Sequence, residues 1–238
     1  MKTHLLVIVA LTMLPLFVLS QSSKRQHIGL SIGPSITLSD FAKAELSDST
    51  SGFAKTGISL NFTYAYRLNH NFGVMILGNY SSNKLDNVAY AKQLELANPG
   101  FLVAAESSQN WSSGGLFAGP FFRFPIGDYF SVDVRGLIGY FASYSPKATI
   151  YATEADPPKK TYTYYSETAR ASGFGYLLGA GVKYRLNNYY ITAFADYIGS
   201  DLIFNKSTGW NWDDEPFTSS FSQKVNYLAI TVGVAYVL

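Results

Sequence analysis

The chain has no cysteine, which excludes a disulfide framework and thiol chemistry and leaves no attachment point for a lipid anchor. Histidine is nearly as scarce: three in 238 residues, at positions 4, 27 and 70, are too scattered for a zinc site. Charged residues make up only 14% while aromatics reach 16%, an unusual balance for a water-soluble domain. Neither sign of charge dominates. Without Lys2, 17 basic residues face 16 acidic ones, so no basic stripe points to nucleic acid. Long apolar runs are missing everywhere except at the start. There the run over 5–19, broken by Thr12 and Pro15, is shorter than the roughly 20 residues a spanning helix needs. With Lys2 before it and Val18 and Ser20 before Gln21, residues 1–20 read as a secretory signal peptide cleaved near Ser20. Residues 21–238 then form one domain.

What the chain does have is alternation. Over 225–238, Leu228, Ile230, Val232, Val234, Tyr236 and Leu238 share one face, and small or mixed residues share the other. A period of two belongs to a β-strand. An apolar face that runs to the last residue suits a strand with lipid on its outside. Seven further stretches repeat the pattern: 27–38, 56–68, 72–80, 116–126, 130–144, 174–186 and, with switched parity, 189–197. Asn69-His70-Asn71, Gly127-Asp128-Tyr129 and Asn187-Asn188 make tight turns, whereas 39–55, 84–110, 145–171 and 200–222 are long. The expected fold is all-β: an eight-stranded antiparallel up-and-down transmembrane β-barrel, with short turns at one end and four long loops outside. Residues 88–97 suit a short helix, and 155–168 a projecting hairpin with Pro157, Pro158, Lys159 and Lys160 at its tip. The competing fold is a soluble barrel or sandwich with the apolar face as its core. The leader and the alternation of loop lengths weigh against it.

Parity then sorts the side chains. Tyr66, Phe72, Phe124, Phe130, Tyr184, Tyr189 and Tyr236 face outward beside the short turns, as an aromatic girdle at the periplasmic interface would. Tyr80, Tyr140, Phe174, Tyr176 and Tyr197 form a second band eight to ten residues along, which matches the roughly 9–11 residues of one bilayer crossing. Arg67, Arg123, Asp133, Arg135, Lys183, Arg185 and Asp196 face inward as a lumen charge network. With even-sum pairing across the turn at 127–129, Arg123 lies opposite Asp133.

Three weaker signals remain. Asp213, Asp214 and Glu215, with Asp201 in the same connection, carry the carboxylates of a calcium site, but the spacing fits no known loop and a solvated acidic turn is expected. Trp210 and Trp212 suit interface anchors rather better than a binding surface. No histidine falls at the outer rim, where a barrel hydrolase would need it, so no enzymatic activity, cofactor or metal is expected.

The terminal strand, with an aromatic at Tyr236 and an apolar last residue, resembles the assembly signal of bacterial outer-membrane barrels, although Leu238 stands where Phe is more usual. The whole mature chain resembles the small outer-membrane β-barrel proteins common in Bacteroidota, of the OmpA and OmpX type. That resemblance implies a Gram-negative outer membrane, contact with its lipid and lipopolysaccharide, assembly through the terminal strand and a monomeric state; because the sequence stops at the last strand, no peptidoglycan-binding domain is expected after the barrel. It also implies a structural or surface-binding role through the loops; a small pore or a lipid-modifying enzyme is the alternative. Asp48-Ser49-Thr50 is similar to a short glycosylation signal of Bacteroidota surface proteins, with Ser49 or Thr50 as acceptor.

Overall fold

The computed structural model describes residues 25–157 and 159–238. The expected signal peptide, with His4 and the cleavage point at Ser20, lies outside the described residues, as does Pro158. The alternating stretches become β1 (Gln26–Thr37), β2 (Gly57–Arg67), β3 (Phe72–Asn83), β5 (Trp111–Ile126), β6 (Phe130–Tyr144), β9 (Arg170–Leu186), β10 (Tyr189–Trp210) and β11 (Pro216–Val237). Between them lie β4 (Phe101–Ser107), β7 (Ala148–Glu154) and β8 (Thr161–Ser166), with helices α1 (Ser39–Ala42) and α2 (Asn87–Ala97).

The first eight pair in the order β11, β1, β2, β3, β5, β6, β9, β10 and return to β11. Every neighbouring pair is antiparallel, and β1 closes on β11 from His27↔Val237 to Thr37↔Tyr227. Closure leaves no bare edge, which a sheet in hydrocarbon requires. The burial is inside-out. Leu30, Phe62, Ile138, Phe174, Val232 and Leu238 are more than half exposed on the outside, while Leu77, Phe117, Phe121, Phe141 and Leu177 are fully buried within. An apolar belt of this kind is costly in water and favourable in lipid.

The tight turns follow from their residues. Gly127 (φ 66°) and Asn187 (φ 53°) occupy the left-handed region that Gly and Asn tolerate. Asn69 Oδ1 accepts from the Asn71 and Phe72 amides, at 3.0 and 2.8 Å. Registers follow: Ile126 faces Phe130, Leu186 faces Tyr189, and Arg123 faces Asp133.

The long connections carry more structure than alternation alone suggests. The expected fourth loop, 200–222, is largely strand: β10 and β11 stay paired as far as Trp210↔Pro216, leaving only residues 211–215 as a turn. A bulge between Phe204 and Ser207, with Lys206 at φ 61°, breaks the period there and hides the strand from a parity reading. The 155–168 hairpin is β7 paired with β8, and β4 extends that sheet on its far side. The three-stranded extension joins β10 through Gly209↔Ser166 and Trp210↔Tyr165. Helix α2 is capped by Asp86, whose Oδ1 accepts from the Ala89 amide at 3.1 Å. It is tied to β4 by Glu95 Oε1, which accepts from the Val103 amide at 2.8 Å.

The first connection folds over the end of the barrel. Fully buried Phe41, from α1, meets Trp111 edge-on at 5.5 Å, and Trp111 meets Phe204 at 5.8 Å. Thr37 Oγ1 donates to Ala54 O (2.7 Å) and Trp111 Nε1 to Gly52 O (3.0 Å), which fixes the chain over the aromatic cluster.

Candidate functional site

Inside the barrel, near the short turns, five charged side chains are buried together: Arg123, Asp133, Arg135, Lys183 and Asp196. Arg123 makes a two-point contact with Asp133, Nε to Oδ1 at 3.0 Å and Nη2 to Oδ2 at 3.2 Å. Lys183 Nζ reaches the same carboxylate at 2.8 Å. Since Asp133 faces Gly181 across the β6–β9 ladder, Lys183 is its diagonal neighbour. Arg135 grips Asp196 in the same two-point manner, at 2.8 and 2.6 Å. These two come from strands that are not adjacent. Both are partners of Gly179, on either side of β9, and the missing side chain leaves the gap they bridge. A Cβ on Gly179 would lie 1.9 Å from Asp196 Oδ1.

Aromatic rings surround the cluster. The Arg135 guanidinium lies 3.9 Å from the Phe194 ring centre, and Arg123 lies 5.2 Å from that of Tyr190. Lys183 Nζ also lies 2.9 Å from His27 Nε2, at hydrogen-bond distance. His27 packs edge-on against Phe121 and Tyr190. Parity puts His27 inside, but its partner comes from a strand across the lumen, which pattern alone does not reveal. Above this layer comes a polar one, where Asn79 Nδ2 donates to Ser59 Oγ (3.0 Å) and Asn61 Oδ1 (2.6 Å). Phe117, Phe141 and Leu177 are buried in the same interior. The cavity bounded by His27, Arg135, Lys183 and Phe194 measures about 20 Å³, about one water's worth of space.

A second concave site lies far from the first, beyond the long connections. A cleft of about 250 Å³ is lined by Leu94 and Asn98 of α2 and its cap, Phe101 and Val103 of β4, Ala152 of β7, Tyr162 of β8, and Trp212 and Asp213 of the 211–215 turn. Phe101 and Tyr162 meet edge-on at 6.0 Å. Trp212 is held by Tyr164 at 5.4 Å, and Tyr164 stacks in turn on Phe217 at 5.3 Å. Burial raises the Tyr164 hydroxyl above its ordinary pKa.

A family model described as outer membrane protein beta-barrel domain matches residues 9–237. The chain belongs to this family. It is therefore a β-barrel of the outer membrane. No curated protein matches it. Among solved structures it is similar to Ail, the attachment invasion locus protein of Yersinia pestis, at 16% identity over 90% of this chain and 100% of that one, with a TM-score of 0.44. A major outer membrane protein from Thermus thermophilus is similar at 12% identity over 91% and 100%, with a TM-score of 0.48. The outer membrane protease OmpT from Escherichia coli is similar at 9% identity over 91% and 98%, with a TM-score of 0.32.

Within this outer-membrane barrel, the remaining residues singled out by pattern fall as follows. Arg67 is only half-buried, and Arg185 is exposed, its Nε donating to Asn187 O at 3.4 Å. Their parity is inward, but they stand at the barrel's end, beyond the depth at which opposite walls close over a side chain, so the buried network excludes Arg185. The turn-side aromatics pair across strands: Phe130 with Tyr184 at 4.8 Å and Tyr189 with Tyr236 at 5.2 Å, while Phe72 lies 5.1 Å from Phe122. Tyr66 and Phe124 stand on the same outer face, opposite Val74 and Val132.

One expectation requires correction. Trp210 and Trp212 are not beside the outer aromatic band. They follow Tyr197 by 13 or more residues of continuous strand and turn, about 40 Å at 3.3 Å per residue. Asp201 is paired opposite Lys224, far down the β10–β11 ribbon from Asp213, Asp214 and Glu215, so these four carboxylates do not converge. Among the described residues no group of three potential metal ligands is found. Ser49 is exposed in the first connection. Beside it, Lys43 and the Thr50 hydroxyl and amide hold the Asp48 carboxyl well below the usual carboxylate range.

Proposed function

We propose that this outer-membrane barrel is a closed, non-catalytic surface-binding protein. Its lumen passes no solute, and the four long connections form an extracellular binding head. The observation that carries this reading is the layered filling of the interior. Two bidentate ion pairs, Lys183 and a set of fully buried aromatics leave about 20 Å³ at the level of the charges. An eight-stranded barrel is just wide enough for side chains to fill. At the other end, α1 and Phe41 lie over the opening. The head supports the binding half of the proposal, because its connections are ordered into a helix, a three-stranded sheet and a cleft rather than left as solvated loops. The absence of catalysis is supported by chemistry: His27 and His70, the histidines among the described residues, both sit at the short-turn end. The outward apolar face would meet lipid and lipopolysaccharide, and β11 would present the assembly signal.

Planar-bilayer recording tests the closed lumen. Purified wild type is expected to show no steady conductance. The double variant Arg135→Ala, Asp196→Ala, which removes the bridge between β6 and β10 across the lumen, is expected to pass small ions. Steady large conductance from wild type would establish the pore reading instead.

A further inference from the structure

The outer cleft has a chemistry that narrows what it accepts, and the inference drawn from it rests on the surface-binding reading above. At about 250 Å³ it falls just below the roughly 300–1,000 Å³ of drug-sized pockets, so it suits one compact group. Its aromatic walls are Phe101, Tyr162 and Trp212, all half-buried. The polar groups are unevenly divided between donors and acceptors. Asn98 Nδ2 is already donating to Leu94 O at 3.0 Å, and the Tyr162 hydroxyl to Glu154 Oε1 at 3.1 Å. The Asn98 carbonyl oxygen and the Asp213 carboxylate remain as acceptors. Among the described residues no cation lies within ion-pair distance of Asp213, and its own amide is taken up by Asn211 Oδ1. Against these stand two neutral donors, the Trp212 indole N–H and the second N–H of Asn98 Nδ2, fewer than the lone pairs of Asn98 Oδ1 and the two Asp213 oxygens. A saccharide needs donors and acceptors in comparable number, and an anion would meet Asp213 with no compensating charge. An ammonium ion with an apolar body satisfies all three features at once, because aromatic faces attract cations and the carboxylate balances the charge. The Tyr162 ring already takes one cation, the Lys160 ammonium, 4.5 Å from its centre.

We infer that this cleft is a binding site for a small organic ammonium, of the size and class of choline. Trp212 and Tyr162 would face the cation and Asp213 would neutralise it. Lys160 competes for the Tyr162 face, and its charge lowers the affinity.

The test uses the full chain, purified in micelles, with choline as the probe and 3,3-dimethylbutan-1-ol as its uncharged counterpart of nearly the same shape. Calorimetry is expected to show choline binding about tenfold or more tighter than the alcohol, the ratio that roughly 1.4 kcal/mol of charge-dependent attraction provides. Asp213→Asn should weaken choline about fivefold or more and leave the alcohol unchanged, whereas Lys160→Ala should tighten choline. Heat-modifiable migration on gels verifies that each variant remains a folded barrel. Equal affinity for choline and the alcohol, no choline binding at about 10 mM, tenfold above the about 1 mM that corresponds to −4.1 kcal/mol, or an unchanged Asp213→Asn would each overturn the inference. None of these outcomes bears on whether the lumen conducts, so the closed-barrel reading stands or falls separately.

Discussion

Asp133 accepts from two cations at once, Arg123 and Lys183, whereas Asp196 accepts from Arg135 alone. The consequences of removing each partner therefore differ. Asp133→Asn strands two positive charges in a dry interior and should cost at least the about 3–5 kcal/mol typical of breaking a buried pair. Arg123→Met leaves Asp133 still paired with Lys183 and should cost less. Asp196→Asn isolates Arg135, which keeps only the Phe194 face, and should fall between the two. Urea unfolding in lipid vesicles gives the order directly. Equal losses at all three positions would show that the five groups act as one unit rather than as two clusters.

At the scale of the element, β9 shows how a strand can be defined by what it lacks. Gly179 and Gly181 stand where inward side chains belong, and each faces an acidic or basic partner on β6: Arg135 for Gly179 and Asp133 for Gly181. A Cβ at 179 would strike the Asp196 carboxylate, and one at 181 would come within 2.4 Å of Ala193 O and the Phe194 ring. Gly179→Ala is therefore expected to break the Arg135–Asp196 bridge and destabilise the barrel by about 1–3 kcal/mol or more, the cost of overpacking, even though alanine ordinarily suits a strand better than glycine. By contrast a Cβ on Gly78, on the outer face of β3, meets nothing. Gly78→Ala should be neutral in the same unfolding assay. A loss at 78 as large as that at 179 would contradict the assigned lumen-facing side.

For the whole molecule, the up-and-down order puts all three tight turns at one end and the hairpin, helix and ribbon at the other. In the membrane this becomes a topology. Trypsin added to intact cells is expected to cut at Lys159 or Lys160, exposed at the tip between β7 and β8, and to spare Arg67 and Arg185 beside the short turns. Cutting at Arg67 or Arg185 while the cells remain intact would place the short turns outside.

The eight barrel strands, their outward faces, the three tight turns and the opposition of Arg123 and Asp133 are all consequences of local rules. A period of two, a turn length and a parity determine them, and each can be read within a few residues. The pairing of Arg135 with Asp196 cannot be read this way, because the two strands meet only through the glycine of a third. Neither can His27, whose partner Lys183 lies 156 residues away across the lumen. The extension of β10 past its bulge, the addition of β4 to the β7–β8 hairpin and the cleft beneath Trp212 belong to the same class. Their short segments carry no lipid-facing row to announce them and are held by contacts between connections distant in the chain. The lipid imposes a pattern on the residues it touches. Where it is absent, inside the barrel and above it, only tertiary contacts decide which side chains meet.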